Sequence, residues 1–366
     1  MRSTTMRKIG IIFVLIFFSL PVRAQQIVLP SPEGPYVVGT RSFEIDDSNR
    51  PKKNAWWGVR KFMAQAYYPS SSTSLQNTPY MPETLEAGKI EDITVYGHAE
   101  LNTPIATKGS YPIIIMQPGL GGVRQAHTIL CEELASHGYV VFTLDHPYVA
   151  SFVRFKNGDI TTPHLWTMWR VNNNRDYRYE WFEKAVETSC QDINMLLEQL
   201  PQLNKSTFQN QLNLSEIGLM GHSFGGNVSL LEGFKNPAIK AIIDVDSKLT
   251  ERINLPENTN NKPVLFIRSN EYQDDVGDRL RHISNACIIN FNVQHSAFED
   301  IAYLAPTVPN QGNQSLLAKA WHFLVHKGPF MDHVGTGLGH YRKKDWFKLY
   351  TKTVKEFWDK HLLHAK

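Results

Sequence analysis

The sequence predicts an α/β fold: a mostly parallel sheet with helices on both faces, built as one domain. Two observations carry this. Short unbroken apolar runs at 111–116 (YPIIIM) and 139–144 have the pattern of strands buried on both faces. These runs alternate with longer stretches of helical spacing, and strand–helix alternation is what parallel sheets require. A chain of 366 residues is long enough for a large core.

Taken in order, residues 25–35 are Pro-rich and read as an extended lead-in. Residues 37–45 and 60–68 read as strands, the second stopping at Pro69, and 70–78 as a polar loop. After the strand at 111–116 a helix is expected over 125–137, ended by Gly138. Apolar residues at helical spacing run from Trp181 to Leu200, predicting a helix over 179–200 that stops at Pro201. Strands at 217–220, 238–245, 263–267 and 287–291 follow, with helices at 227–234 and 346–363. Residues 148–179 break the rhythm. Rich in Trp, Arg and Asn (Trp166, Trp169, Arg170, Asn172), they form either a cap insertion or a connection hugging the surface.

Composition narrows the functional classes. With 42% hydrophobic and 20% charged residues the chain is not collagenous, coiled-coil or disordered. A net charge of +3 gives no basic field for nucleic acid. Arg2, Arg7 and Lys8 precede an apolar run from Ile9 to Leu20, followed by Val22 and Ala24 at small-residue positions. This is the pattern of a signal peptide over 1–24, cleaved after Ala24, and it predicts a secreted or periplasmic protein; an uncleaved anchor is the alternative. Without those residues the chain carries 34 basic and 35 acidic side chains, a net of −1. Cys131, Cys190 and Cys287 form no Cys-x-x-Cys pair, so zinc and redox motifs lack support. They read as small buried hydrophobes, with their disulfide state left open.

The chemical signal is Gly221-His222-Ser223-Phe224-Gly225-Gly226. It follows an apolar strand and opens a helical stretch, the strand-to-helix turn of a nucleophile elbow. A serine hydroxyl needs an imidazole to take its proton and a carboxylate to orient that imidazole. On such a sheet the acid follows the serine at the end of the next strand, which offers Asp246 and, two residues deeper, Asp244; the strand-end position favours Asp246. His295 closely follows the strand at 287–291, where a loop emerges at the same sheet edge, whereas His282 precedes that strand. An oxyanion hole needs two amides. Phe224 supplies one, and the Gln117-Pro118-Gly119-Leu120-Gly121 turn the other, from Leu120 or its neighbour Gly121.

Together these pieces resemble the platelet-activating factor acetylhydrolase group of α/β-hydrolases, the plasma-type lipoprotein-associated phospholipases A2 and their bacterial relatives. The resemblance runs through Val38-Gly39-Thr40-Arg41, Tyr67-Tyr68-Pro69, Gly119-Leu120-Gly121, Glu133 to Val141 (ELASHGYVV), Asp145-His146, the elbow, Asp246, and His295 within HSAFED. It implies an α/β-hydrolase fold, a catalytic Ser223–Asp246–His295 triad, oxyanion amides at Leu120 and Phe224, and no metal or organic cofactor. It further implies ester hydrolysis of short or oxidised acyl chains on phospholipids, with peripheral contact to lipid surfaces. One departure stands out: the family has Ser-His-Gly where this chain has Gln117-Pro118-Gly119, which bears on leaving-group or acyl preference. A general carboxylesterase, a cutinase-like polyester hydrolase, or an inactive binding module of the same fold are the alternatives.

Overall fold

A nine-stranded mixed sheet organises the computed structural model, which describes residues 25–47, 60–73, 77–80, 89–90, 93–248, 261–272, 283, 285–304 and 337–363. The expected signal segment with Ala24 lies outside these residues, as does His282. The strands are β1 (Val37–Asp47), β2 (Arg60–Ser70), β3 (Glu100–Leu101), β4 (Tyr111–Gln117), β5 (Val140–Asp145), β6 (Leu212–His222), β7 (Ile239–Val245), β8 (Val264–Arg268) and β9 (Ala286–Asn290). Across the sheet they run β9-β8-β7-β6-β4-β5-β2-β1-β3. Only β2 is antiparallel to its neighbours β5 and β1; every other pairing is parallel.

The apolar runs become central strands because both faces are covered. On β4, Ile113 and Ile115 enter one core and Ile114 and Met116 the other. The first face carries α3 (Arg175–Ser206) and α4 (Phe224–Lys235) through Trp181, Ile193, Phe224 and Leu230. The second carries α1 (Thr128–Ser136) and α5 (Lys343–His361) through Leu134, Trp346 and Trp358. Between β5 and α3, a short hairpin (Val153–Arg154 with Ile160–Thr161) and α2 (Leu165–Asn173) occupy the segment that broke the rhythm.

Several sequence expectations are corrected. The helix expected to stop at Pro201 continues to Ser206. Packing overrides the missing N–H: Leu200 is buried, and the Asn204 side chain accepts from the Leu212 amide and anchors the last turn to β6. The helix expected from residue 125 starts at Thr128, because the amides of Thr128 and Ile129 donate to a carboxylate distant in sequence, Asp300, at 2.6 and 3.3 Å. Cys131 and Cys190 are buried, but Cys287 is exposed on the edge strand β9; all three are free thiols. The lead-in and the polar loop also contribute strands, Gln25–Val28 and Thr78–Pro79, to a small sheet built on Ile93–Gly97. No helix among the described residues is long and apolar enough to cross a membrane.

Candidate active site

Three loops meet at the carboxyl edge of β4, β6 and β7. The tightest is the turn between β6 and α4. Ser223 stands there at φ 55° and ψ −118°, a conformation that costs a non-glycine residue about 1–3 kcal/mol and survives only where its surroundings impose it. The surroundings here are main chain. A Cβ on Gly221 would lie 2.1 Å from the Gly225 carbonyl oxygen, and one on Gly225 2.2 Å from that of Gln117. Only glycines allow strand, elbow and neighbouring loop to approach so closely. The Ser223 amide donates to the Val245 carbonyl at 2.8 Å. Although it sits at the cap position of α4, its side chain makes no capping bond. It is half-buried, with its hydroxyl unpaired among the described residues.

Just past β7, Asp246 also takes a positive φ, 53°, with its amide donating to the Ile267 carbonyl at 2.7 Å. Its carboxylate accepts from the Ser269 amide at 2.7 Å and from His295 Nδ1 at 2.6 Å. Burial opposes ionisation of this carboxyl, but the hydrogen bond and charge of His295, helped by Ser269, hold it below the usual carboxylate range. Asp244 is committed elsewhere: it pairs with the buried Arg268 at 2.8 Å and accepts from the Ser247 hydroxyl at 2.7 Å. Of the two acids that the sequence left open, Asp246 is the one on His295.

His295 opens a single 3-10 turn (His295–Phe298) soon after β9. That turn is pinned from several sides. Trp346 Nε1 donates to the Ala297 carbonyl at 2.7 Å, and His127 Nδ1 contacts the Phe298 carbonyl at 3.1 Å. The His295 amide donates to Glu271 at 3.1 Å. Tyr272 meets the His295 ring edge-on at 5.1 Å, and the His222 ring lies against it at 4.5 Å. The imidazole is therefore held beside the residue that precedes Ser223 and is oriented by Asp246.

The loop after β4 closes the site. A Cβ on Gly119 would stand 3.5 Å from the Ser223 Cβ and 3.0 Å from Glu299 Oε1, so the glycine backbone lies directly against the elbow. The Gly121 amide is occupied, donating to the Val149 carbonyl at 3.1 Å. The amides of Leu120 and Phe224 are free among the described residues. Beneath the loop runs a buried chain in which Asp192 contacts His146 at 2.8 Å and His146 contacts Gln117 Oε1 at 2.7 Å. Gln117, which departs from the family pattern, is thereby tied to α3.

Sequence reasoning missed Glu299 and the part played by His222. Glu299 Oε1 lies 3.0 Å from His222 Nδ1, and the His222 hydrogen bond and charge carry its pKa down to about 2 against the cost of burial. Both residues stand inside motifs that were read, but nothing in their spacing announced the contact. With His127 they form the one group among the described residues whose three ligand-type atoms lie within 4.8 Å of one another. Chemically, an uncapped hydroxyl on a strained turn, a carboxylate-held imidazole and two free amides are the parts that nucleophilic acyl transfer needs.

A model described as "Platelet-activating factor acetylhydrolase, isoform II" matches residues 22–308, well over half of the chain. The chain belongs to that family. Among curated relatives of this acetylhydrolase-family chain is a protein of Arthroderma benhamiae named "Probable 1-alkyl-2-acetylglycerophosphocholine esterase". It is 26% identical over 270 residues, which cover 67% of this chain and 65% of the relative. The platelet-activating factor acetylhydrolase of Cavia porcellus is 25% identical over 280 residues, covering 67% of this chain and 61% of the relative. A cutinase of Thermobifida fusca is 23% identical over 219 residues, covering 60% and 58%. The acetylhydrolase-family chain thus spans less than two thirds of the length of these relatives. Among solved structures, a ferulic acid esterase from Streptomyces cinnamoneus superposes with a TM-score of 0.71 at 22% identity, covering 93% of this chain and 94% of the other. That likeness fixes the α/β-hydrolase fold.

Proposed function

We propose that this chain is an exported serine ester hydrolase. The observation that carries the reading is the 2.6 Å bond between His295 Nδ1 and Asp246, on an imidazole held beside the nucleophile elbow. With Nδ1–H given to Asp246, Nε2 is the free basic nitrogen. It takes the Ser223 proton as Oγ attacks the ester carbonyl, and the Leu120 and Phe224 amides hold the resulting oxyanion. Collapse breaks the ester C–O bond, and His295 gives its proton to the leaving alkoxide. Water, activated by the same imidazole, then hydrolyses the acyl-Ser223 and restores the hydroxyl.

The names of the acetylhydrolase relatives give an acetyl ester of a glycerophosphocholine, and from that we take short acyl esters of phospholipids as the substrate class here, with oxidised chains as the extension the resemblance implies. We read residues 148–179 as a cap. It reaches the oxyanion loop through the Gly121–Ala150 bridge and is continuous with α3, where Phe182 packs edge-on against Phe224 at 5.4 Å. On its outer side Trp166 and Trp169 stack at 4.8 Å and, with Leu165 at 88% exposure, offer an apolar face to a lipid surface. Export rests on the sequence pattern of residues 1–24.

Labelling by a fluorophosphonate tests the nucleophile. The protein should be labelled, and Ser223→Ala should abolish labelling while lowering ester turnover on the order of 10⁶-fold, with an unchanged circular dichroism spectrum. An unlabelled wild type would mean an inert binding module. A panel of short-chain phospholipid, aryl ester and polyester film then separates the acetylhydrolase reading from a carboxylesterase or cutinase-like one, which the relationship to cutinases makes worth testing.

A further inference from the structure

Behind the reacting groups lies a second carboxylate–imidazole pair that the ester chemistry does not use. His222 is buried, and both of its ring nitrogens are engaged. Nδ1 lies 3.0 Å from Glu299 Oε1, and Nε2 lies 3.1 Å from the carbonyl oxygen of His295. An ionised carboxylate and a carbonyl can only accept, so each contact needs an N–H from the ring. A ring that donates at both nitrogens is an imidazolium. Its acceptors, four residues apart, belong to the first residue of the base-bearing turn and to the residue that follows the turn, and they close around the ring from two sides. On the next face Gly119 leaves room: a side chain there would meet His222 Nδ1 at 3.2 Å and Glu299 Oε1 at 3.0 Å.

The charged groups around His222 agree with this state. Glu299 is the anion in direct contact. Asp246 contributes attraction from the end of β7, although its own hydrogen bonds go to His295 and Ser269. His127, at the head of α1, meets the His222 ring edge-on at 5.7 Å; burial takes its pKa down to about 4, so it adds no competing positive charge near neutral pH. Burial of His222 opposes its charge, but the Glu299 hydrogen bond and charge outweigh it and raise its pKa.

We propose that Glu299 is a positioning residue for the base: its carboxylate holds His222 as a doubly donating imidazolium, and the second N–H of that ring fixes the main chain of His295 against the nucleophile elbow. The kinetic arm of this inference rests on the hydrolase reading above; its protonation arm does not. The same three side chains could instead gather around a cation, and the experiment is built to tell a proton from a metal.

Full-length protein labelled with ¹⁵N-histidine is examined by NMR at pH 7.5, with the His222 signals identified by their loss in His222→Asn. Wild type should carry a proton on both ring nitrogens of His222, and Glu299→Gln on only one. Kinetics are normalised to serines titrated with fluorophosphonate, which removes any loss of folded protein. Per titrated site, Glu299→Ala should lower kcat roughly ten- to hundredfold, the scale of a misplaced base, with KM within about twofold. Glu299→Gln should recover most of kcat, because its amide can donate to a neutral Nδ1 while Nε2–H stays on the His295 carbonyl. A wild-type His222 with one ring proton, a stoichiometric metal retained through purification and lost in Glu299→Gln, or wild-type kcat in Glu299→Ala would each overturn the proposal. If wild type does not react with the probe at all, the hydrolase reading fails, and the NMR arm still decides the protonation of His222.

Discussion

The floor of the site and its outer rim are built on opposite principles. On the floor, Ser223, Asp246 and the turn that begins at His295 are held by main-chain and buried polar contacts. The Ser223 amide bonds β7, Asp246 bonds β8 and Ser269, and the base turn bonds α1, α5 and the elbow. On the rim, α2 has nine residues, only one of them buried, and presents Leu165, Trp166 and Trp169 to solvent. The contrast teaches where this chain spends its stability. Preorganisation requires strained and buried polar positions, which the surrounding lattice of bonds must over-determine. A surface that meets apolar material can leave its own apolar side chains uncovered.

The largest expected effect breaks the floor. Asp246→Asn should lower kcat on the order of 10⁴-fold, because the amide can hold the wrong tautomer of His295; single-turnover ester hydrolysis measures it. The control is its neighbour. Asp244→Asn strips a buried arginine, Arg268, of its charge partner and should cost about 3–5 kcal/mol of stability in urea unfolding while leaving kcat per titrated site near wild type. If the two effects were exchanged, the roles of the two acids would be exchanged with them.

A smaller effect is expected in acid. Burial holds His127 neutral in the fold, its pKa lowered from 6.5 to about 4. Between those values the unfolded chain takes up a proton that the folded chain refuses at this side chain, so the His127 contribution to stability falls as pH drops from about 6.5 to about 4, by about 3 kcal/mol. Glu299 adds a second loss, as pH falls from about 4.5 toward about 2, when its carboxylate is finally protonated. Thermal unfolding of variant and wild type compared across pH isolates each contribution from buried carboxyls that act in the opposite direction, such as Glu132 with its pKa raised to about 7. Their separation is checked by His127→Gln, which should flatten the upper window alone.

The rim sharpens the comparison with the smallest change in stability. Trp166→Ala with Trp169→Ala should leave stability within about 0.5 kcal/mol of wild type, as exposed positions generally do. Turnover of a soluble aryl ester should be unchanged, and turnover of phospholipid presented on vesicles should fall several-fold. A matching loss on both substrates would place the tryptophan pair in general ester binding rather than at a surface.

The sequence by itself determined the strand runs, the order of elements and the elbow, because those depend on local periodicity and on glycines that only a tight turn requires. It also brought Asp246 and His295 forward, since on a parallel sheet the strand ends converge on one edge. What it read wrongly was decided by partners distant along the chain. Pro201 sits inside α3 because Leu200 and Asn204 pack around it, and α1 begins at Thr128 because Asp300 reaches across to cap it. The choice between Leu120 and Gly121 as the free amide turned on a bond from Gly121 to Val149. The clamp of Glu299 on His222 was invisible for the same physical reason: a hydrogen bond between residues 77 positions apart leaves no periodic trace, and only the folded sheet edge brings its two halves within 3.0 Å.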